Sequence, residues 1–252
     1  MPWNPDKYQQ FKNQRSAPFY DLLELVDVRP NLKAVDLGCG TGELTRHLAD
    51  ALPDSEVLGL DSSPQMLERT KEFARPGLQF KRGDLAELDG KWDLIISNAA
   101  LHWSKDHGEL IPHLFGCLNP AGQLAVQVPS NHNSIAYQTI IEVARMKPFV
   151  SALKGWYREA PVLPIEAYAE LLFQEVAQDI LVFEKVYPHV LENVDAVVDW
   201  ISGTVLLPYF DRLGKHKDNF VLMLRQILGA VMPGSPVFYP FKRTFFSARK
   251  AK

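Results

Sequence analysis

The stretch Ala34-Val35-Asp36-Leu37-Gly38-Cys39-Gly40-Thr41-Gly42 restricts the possible folds of this chain more than any other. An apolar run (Leu32, Ala34, Val35, Leu37) reads as a short buried strand. It breaks into glycines spaced G-x-G-x-G, and a helical stripe of Leu44, Leu48, Ala49 and Leu52 follows. Glycine tolerates positive φ and lets a ligand approach the backbone closely. A strand, a tight glycine turn and a helix in that order predict a nucleotide-like ligand where the first strand of an α/β sheet ends. Dinucleotide sites use G-x-G-x-x-G, with a pyrophosphate resting on the helix N-terminus. Here the third glycine comes one place early, and Asp36 sets a carboxylate just before the loop. That acid repels a pyrophosphate and attracts a ligand carrying positive charge.

S-adenosylmethionine is such a ligand, with no phosphate and a cationic sulfonium at its reactive end. The string from Val35 to Gly42 resembles motif I of the seven-strand methyltransferases. That resemblance implies a doubly wound, mostly parallel seven-strand α/β sheet (Rossmann-like) and S-adenosylmethionine as cofactor. The 252 residues allow one large domain with insertions. A formal net charge of -3 argues against a nucleic-acid partner, because phosphate binding rewards a basic surface. Cys39 and Cys117 form neither a metal spacing nor a disulfide framework, and Cys39 reads as a small filler between loop glycines. Met1-Pro2-Trp3-Asn4-Pro5-Asp6 has no basic-then-apolar signal pattern, and no uninterrupted apolar run reaches membrane-spanning length. The expectations are a cytoplasmic monomer, no membrane partner and no metal.

Along the chain, Trp3 and Tyr8 lead into a mostly helical apolar pattern (Phe11, Phe19, Leu22, Leu23, Leu25, Val26) interrupted at Pro18. Residues 1–30 are either a lid over the ligand crevice or a helix packed on the sheet. Glu56 to Asp61 reads as the second strand. Asp61 falls about 20 residues past the glycines, where doubly wound folds place an acid on ribose hydroxyls. Ser62-Ser63-Pro64-Gln65-Met66-Leu67 starts a helix, with a capping box expected between Ser62 and Gln65. Leu78 to Leu85 reads as the third strand and its loop. Trp92 to Asn98 is a nearly continuous apolar run, as a buried parallel strand requires. It ends in Asn98-Ala99-Ala100-Leu101-His102-Trp103, which should border the reacting group, since ligands of open α/β sheets bind beyond the strand C-termini. Enzymes that methylate base amines resemble one another in N-P-P-[YF] at this place, and the missing prolines count against such an acceptor. A helix (Leu110 to Leu118) stops at Asn119-Pro120-Ala121-Gly122. Gln123 to Val128 is the fifth strand, and the polar loop Pro129 to Asn133 follows on the same face. Ser134 to Ala152 and Ile165 to Phe173 read as helices, Ile180 to Val186 as strand six and Phe241 to Ala248 as the last strand.

Methyl transfer from a sulfonium is an in-line displacement, whose catalysis comes chiefly from alignment. A carboxylate acceptor has a pKa near ~4, is already ionised at neutral pH, and needs cationic or hydrogen-bonding partners instead of a base. The candidates for that role are Arg15 in the N-terminal segment, His102 and Trp103 after strand four, and Asn131 and His132 after strand five. Trp200 and Tyr209 read either as ligand wall or as core of a cap. More of the chain resembles the trans-aconitate methyltransferase family. The stretches are Trp3-Asn4-Pro5…Tyr8…Phe11…Arg15-Ser16, Asp61 to Leu67, Asn98-Ala99…Leu101-His102-Trp103, Ala125-Val126-Gln127…Pro129…Asn131, Trp200…Thr204…Pro208-Tyr209 and Ala248-Arg249.

The resemblance implies an enzyme that esterifies a small polycarboxylic acid, trans-aconitate or a similar acid. It assigns catalytic roles to Arg15, His102 and Trp103. Asp36, Gly38, Cys39, Gly40, Asp61, Ser62, Met66, Asp84, Leu85 and Asn98 would bind the cofactor, and Tyr8, Asn131, His132, Trp200 and Tyr209 the substrate. It also implies a single domain over 1–252. Residues 1–30 would be the N-terminal helical lid, 31–130 the cofactor-binding half, 131–189 and 236–252 the rest of the sheet, and 190–235 a helical cap insertion. Leu207 stands where that family tends to carry arginine, so His132, Lys242 or Arg243 must compensate if the acceptor carries as many carboxylates. The competing readings are a methyltransferase of another small molecule, a cofactor-binding module without turnover, and a nicotinamide dehydrogenase, which the glycine spacing disfavours.

Overall fold

A computed structural model describes residues 12–252, and their side chains from Ser16 onward. Seven strands form one sheet in the order β3-β2-β1-β4-β5-β7-β6. They are β1 (Lys33–Leu37), β2 (Glu56–Asp61), β3 (Leu78–Arg82), β4 (Trp92–Asn98), β5 (Leu118–Pro129), β6 (Gln178–Leu191) and β7 (Val237–Arg249). β3, β2, β1, β4 and β5 are mutually parallel, and β7 runs antiparallel to β5. The expected doubly wound, mostly parallel seven-strand sheet is therefore present. β1 and β4 are buried nearly throughout, the burial a parallel strand covered on both faces must show. The strand order reverses between β1 and β4, so a crevice opens beyond their C-terminal ends.

The chain divides into two compact units. The sheet unit comprises residues 15–129, 161–185 and 243–252. On one of its faces Val35, Leu37, Ile95, Val126, Val128 and Phe246 pack with α4 (His107–Gly116) and α7 (Ile165–Gln174). Phe246 stacks on Tyr168 with ring centroids 4.5 Å apart. The opposite face carries α2 (Glu43–Ala51), which follows β1, and meets the chain after α1 (Lys12–Leu23) through Gln123. Gln123 Nε2 donates to Leu25 O at 2.8 Å, and its Oε1 accepts from the Asp27 N–H at 2.9 Å.

Among the described residues the helical unit comprises 12–14, 130–160 and 186–242. Its core joins α5 (Ile135–Arg145), α6 (Phe149–Ala152), α8 (Val194–Ser202), α9 (Leu207–Leu213) and α10 (Lys217–Val231) around Val143, Phe149, Val197, Tyr209, Phe220 and Leu224.

Several expectations change in detail. Pro18 does not interrupt α1 but sits inside it. The start of α3 (Pro64–Glu68) is capped by Ser63, whose Oγ accepts from the Met66 N–H at 3.3 Å; Ser62 and Gln65 form no capping box. Asn119 to Gly122 does not lie outside the fifth strand. Leu118 already pairs with Trp92, and Gln123 pairs with Leu94, so these residues bulge out of β5. The single helix expected from Ser134 to Ala152 is two, parted by Met146-Lys147-Pro148, because proline has no N–H to continue the ladder. Strands six and seven extend further than their apolar cores, to Gln178–Leu191 and Val237–Arg249.

Candidate active site

β1 delivers Asp36 to the crevice, and the glycine loop turns directly above it. Gly38 and Cys39 both donate their backbone N–H to Leu60 O, at 2.7 and 3.0 Å, which ties the loop to the end of β2. Gly38 has φ 76°, and a Cβ there would lie 2.1 Å from the Ala100 Cβ, so the loop and the end of β4 pack backbone against side chain. Gly40 has φ 56° with nothing within 4 Å of where its Cβ would stand, which leaves its outer surface open to a ligand.

Two acids meet at this turn. Asp36 is 5% exposed, and its Oδ2 accepts from the Thr45 hydroxyl at 2.6 Å. Burial pushes its carboxyl up to about 6; the Thr45 hydrogen bond opposes that, and the charge of Asp61 adds to it. Asp61 accepts the Gly40 N–H on one oxygen at 2.9 Å and the Ser63 N–H on the other at 2.8 Å. It therefore fixes the loop geometry. The Cys39 thiol is pushed well above its usual range by burial and by both acids, which removes it as a nucleophile at neutral pH.

The remaining expected cofactor residues spread along the sheet edge. Asp84 is exposed after β3, and its Oδ1 accepts from the Ala86 N–H at 2.9 Å. Leu85 is half-buried beside it, Ser62 is exposed, and Met66 is half-buried in the first turn of α3. Asn98 ends β4, and its buried Oδ1 has no hydrogen-bond partner. Ala99 follows with φ 54°, an unusual backbone for a residue with a side chain. The Ala99 N–H donates to Gln127 O at 2.9 Å, which secures the turn. His102 and Trp103 share one 3-10 turn, their rings 5.0 Å apart; Trp103 is 53% exposed and His102 half-buried.

Asn131, His132, Trp200 and Tyr209 all belong to the helical unit. Asn131 Oδ1 accepts from the Lys242 N–H at 2.7 Å. His132 occupies the same turn, and its carbonyl accepts from Gln138 Nε2 at 2.9 Å. Trp200 is buried against His189 and Phe241. Tyr209 is fully buried, stacks on Phe220, and accepts the Arg158 N–H on its hydroxyl at 3.1 Å. Tyr8 and the side chain of Arg15 lie outside the described residues.

The sheet also assembles a row that the sequence reading lacks. Residues paired across a sheet share a face, and so do residues two apart on one strand. Asp36 pairs with Ile96, Asn98 with Gln127, and Pro129 with Arg243. Asp36, Asn98, Gln127 and Arg243 therefore stand on one face of four neighbouring strands, in a diagonal across the C-terminal edge of β5. Its charge runs from acid through two amides to a guanidinium. The one local signal for Gln127 is an amide inside the apolar run Ala125-Val126-Gln127-Val128. Among the described residues no cluster of His, Cys, Asp and Glu could hold a metal, and no helix is long and apolar enough to cross a membrane.

The family model described as a methyltransferase domain matches residues 35–124, from β1 into β5. A trans-aconitate 2-methyltransferase of Deinococcus radiodurans is 45% identical over 99% of this chain and 99% of its own length. One from Mycobacterium tuberculosis is 33% identical over 98% of this chain and 96% of its own. Among solved structures, Haemonchus contortus phosphoethanolamine N-methyltransferase 2, in complex with S-adenosyl-L-methionine, superposes with a TM-score of 0.57 at 16% identity. That match covers 93% of this chain and 52% of the other, and it carries the fold alone. With near-complete coverage at 45% identity, the chain belongs to the trans-aconitate 2-methyltransferase family.

Proposed function

We propose that this enzyme transfers a methyl group from S-adenosylmethionine to a carboxylate oxygen of a small polycarboxylic acid, trans-aconitate or a close analogue, giving a methyl ester. The observation that carries the cofactor side is the acid pair under the glycine loop. Asp36 is buried beside Asp61 with its carboxyl pushed up to about 6, so the site gains by accepting positive charge. The open surface over Gly40 leaves room for an organic cation, and an anionic pyrophosphate would meet both acids. When bound, S-adenosylmethionine supplies a methyl group on a positively charged sulfur.

In this reading Asp36 draws the cationic methionyl end of the cofactor towards β1, and Gly38, Cys39 and Gly40 admit it with their backbone. Asp61 keeps lone pairs for the ribose hydroxyls, while Ser62, Met66, Asp84 and Leu85 border the adenine. Asn98 offers an unused buried acceptor between cofactor and acceptor. The acceptor carboxylate is ionised at neutral pH, so no base need remove a proton. The side chains have to hold it in line, the kind of positioning worth ~7–11 kcal/mol in favourable intramolecular reactions. Arg15, His102 and Trp103 are the proposed contacts on that side, with Tyr8, Asn131, His132, Trp200 and Tyr209 as the further substrate set. A net charge of -3 supports a small-molecule acceptor over a nucleic acid.

The test is methyl transfer from labelled cofactor to a panel of carboxylic acids, with the product identified by mass spectrometry. A methyl ester on trans-aconitate or a related acid is expected. Silence across the acids, with transfer to an amine or alcohol acceptor, would overturn the reading.

A further inference from the structure

His107 is a buried titratable side chain that takes no direct part in the proposed chemistry. It opens α4 and is 1% exposed. Its Nε2 lies 2.9 Å from Leu101 O, and its Nδ1 lies 2.5 Å from the Tyr168 hydroxyl. A carbonyl only accepts, so Nε2 carries the proton of the neutral ring. Nδ1 is then bare and accepts from Tyr168, whose own oxygen takes the Leu163 N–H at 3.2 Å. The hydrogen bonds therefore run one way, from Leu163 through Tyr168 and His107 to Leu101 O, and the partners fix the tautomer. Tyr168 is itself anchored, fully buried and stacked on Phe246 of β7.

The receiving end of this chain lies beyond the C-terminal end of β4. Leu101 begins the 3-10 turn that holds His102 and Trp103. Its carbonyl also accepts the Ser104 N–H at 2.9 Å, so both of its lone pairs are used. The chain enters this turn through Ala99 at φ 54° and through Ala100, the residue that abuts Gly38. A single 3-10 turn has little regular structure of its own to hold it. An apolar side chain could fill the space at position 107 without needing polar partners. Histidine adds a donor aimed at one carbonyl of the turn.

We propose that His107 is a positioning residue for methyl transfer: through the Leu101 carbonyl it sets the turn that presents His102 and Trp103 to the acceptor. Tyr168 keeps the proton on the nitrogen that makes this contact. The inference rests on the proposed role of His102 and Trp103 and adds what holds them in place. Such support matters because a misplacement of about 1 Å can cost ~100-fold in rate.

The experiment compares two substitutions that each keep one end of the ring's bonding. The amide nitrogen of His107→Gln reaches the place of Nε2 and still donates to Leu101 O. The shorter amide of His107→Asn ends at the place of Nδ1, where it accepts from Tyr168 but falls short of Leu101 O. Rates are measured at saturating S-adenosylmethionine, with trans-aconitate or the panel acid that wild type methylates fastest. His107→Asn should lower kcat at least about tenfold, and His107→Gln should restore it to within about 3-fold of wild type. Both should bind S-adenosylhomocysteine within about 3-fold of wild type. In a chain carrying His102→Ala and Trp103→Ala, His107→Asn should cost less than about 2-fold further, because nothing is left to position. Equal losses of kcat in the two variants, or the full loss in the chain without both rings, would overturn the inference. If His107→Asn does not fold, Tyr168→Phe replaces it, since it frees the ring proton to move to Nδ1. It should lower kcat at least about 3-fold, and an unchanged kcat would overturn the inference. Should the chain without both rings match wild type, the role of the turn falls and this inference with it, while methyl transfer stands. Should wild type methylate no acid, the proposed function itself falls.

Discussion

In the proposed reading Asp36 favours the bound cofactor at the expense of the empty fold. Its carboxyl is raised from 3.8 to about 6, first by burial, so its contribution to folding is fully present below 3.8 and is lost as pH climbs through 6. A cation needs the ionised form, so the pH dependence of binding runs the other way. Affinity for S-adenosylmethionine should fall as pH drops below about 6, and binding near that pH should release a proton, visible as a buffer-dependent enthalpy. Asp36→Asn keeps an acceptor for Thr45 and removes the charge. The variant should be more stable than wild type at pH 8 without ligand, by about 1–3 kcal/mol, and should bind the cofactor at least about tenfold more weakly. Equal cofactor affinity in variant and wild type, measured by calorimetry, would remove Asp36 from the site. The sequence makes this acid conspicuous because it precedes three glycines. It leaves Arg243 level with His132 and Lys242 as a compensating cation, because nothing local distinguishes them. The register of Arg243 opposite Pro129 is a pairing between residues more than a hundred positions apart, which no local pattern announces.

At the scale of elements, the strands were legible and their ends less so. Nearly continuous apolar runs such as Trp92 to Ile96, broken only at Asp93, announce buried parallel strands, and β4 forms where that run lies. Asn119-Pro120-Ala121-Gly122 looks like a stop because each residue favours a turn, yet Leu118 already pairs with Trp92 and the turn becomes a bulge within β5. Ser62 and Ser63 are equivalent caps by composition, and geometry chose Ser63.

The contact between the glycine loop and β4 gives a sharp prediction. Gly38→Ala adds a Cβ 2.1 Å from the Ala100 Cβ, at a positive φ. It should cost about 3 kcal/mol in urea unfolding. Adding Ala100→Gly should recover the steric part and leave the cost of the left-handed backbone, about 1–2 kcal/mol. If the double variant is no more stable than Gly38→Ala, the contact is not the cause.

α4 and α7 are joined by a different device. The Tyr168 hydroxyl accepts the Leu163 N–H at 3.2 Å, so its proton goes to His107 Nδ1, 2.5 Å away, and His107 Nε2 donates to Leu101 O at 2.9 Å. Burial, the largest influence, lowers the His107 pKa against opposing contributions from Leu101 and Asp106. The neutral ring therefore supports folding above pH 6.5, and that support is lost as pH falls. Tyr168→Phe orphans two buried partners and should lower stability by about 2–4 kcal/mol. A calorimetric melting series from pH 5 to 8 checks both statements, and a variant as stable as wild type would refute them.

For the molecule as a whole, the resemblance in the sequence reached the fold and the family because both are carried by motifs contiguous in the chain. The polar row was not legible, since its four members come from β1, β4, β5 and β7 and meet only through pairing. The site also makes a prediction for the distribution of stability. Saturating S-adenosylhomocysteine should slow amide exchange at Gly38, Gly40 and Ser63 in the sheet unit, and should leave Phe220 to Leu228 in the core of the helical unit unchanged. Protection spread evenly over both would mean that binding acts on global stability alone.

The two neighbouring acids under the glycine turn bear on how the enzyme empties itself. Under the proposed reading they attract a donor with two positive charges, one on its amino group and one on a sulfur that is charged only while it holds a methyl group. Once the methyl has gone, the spent nucleoside keeps its amino cation but is neutral at sulfur, and the carboxylates favour it less. The same pair that recruits the donor thus loosens its remnant, and turnover itself opens the way for the next molecule.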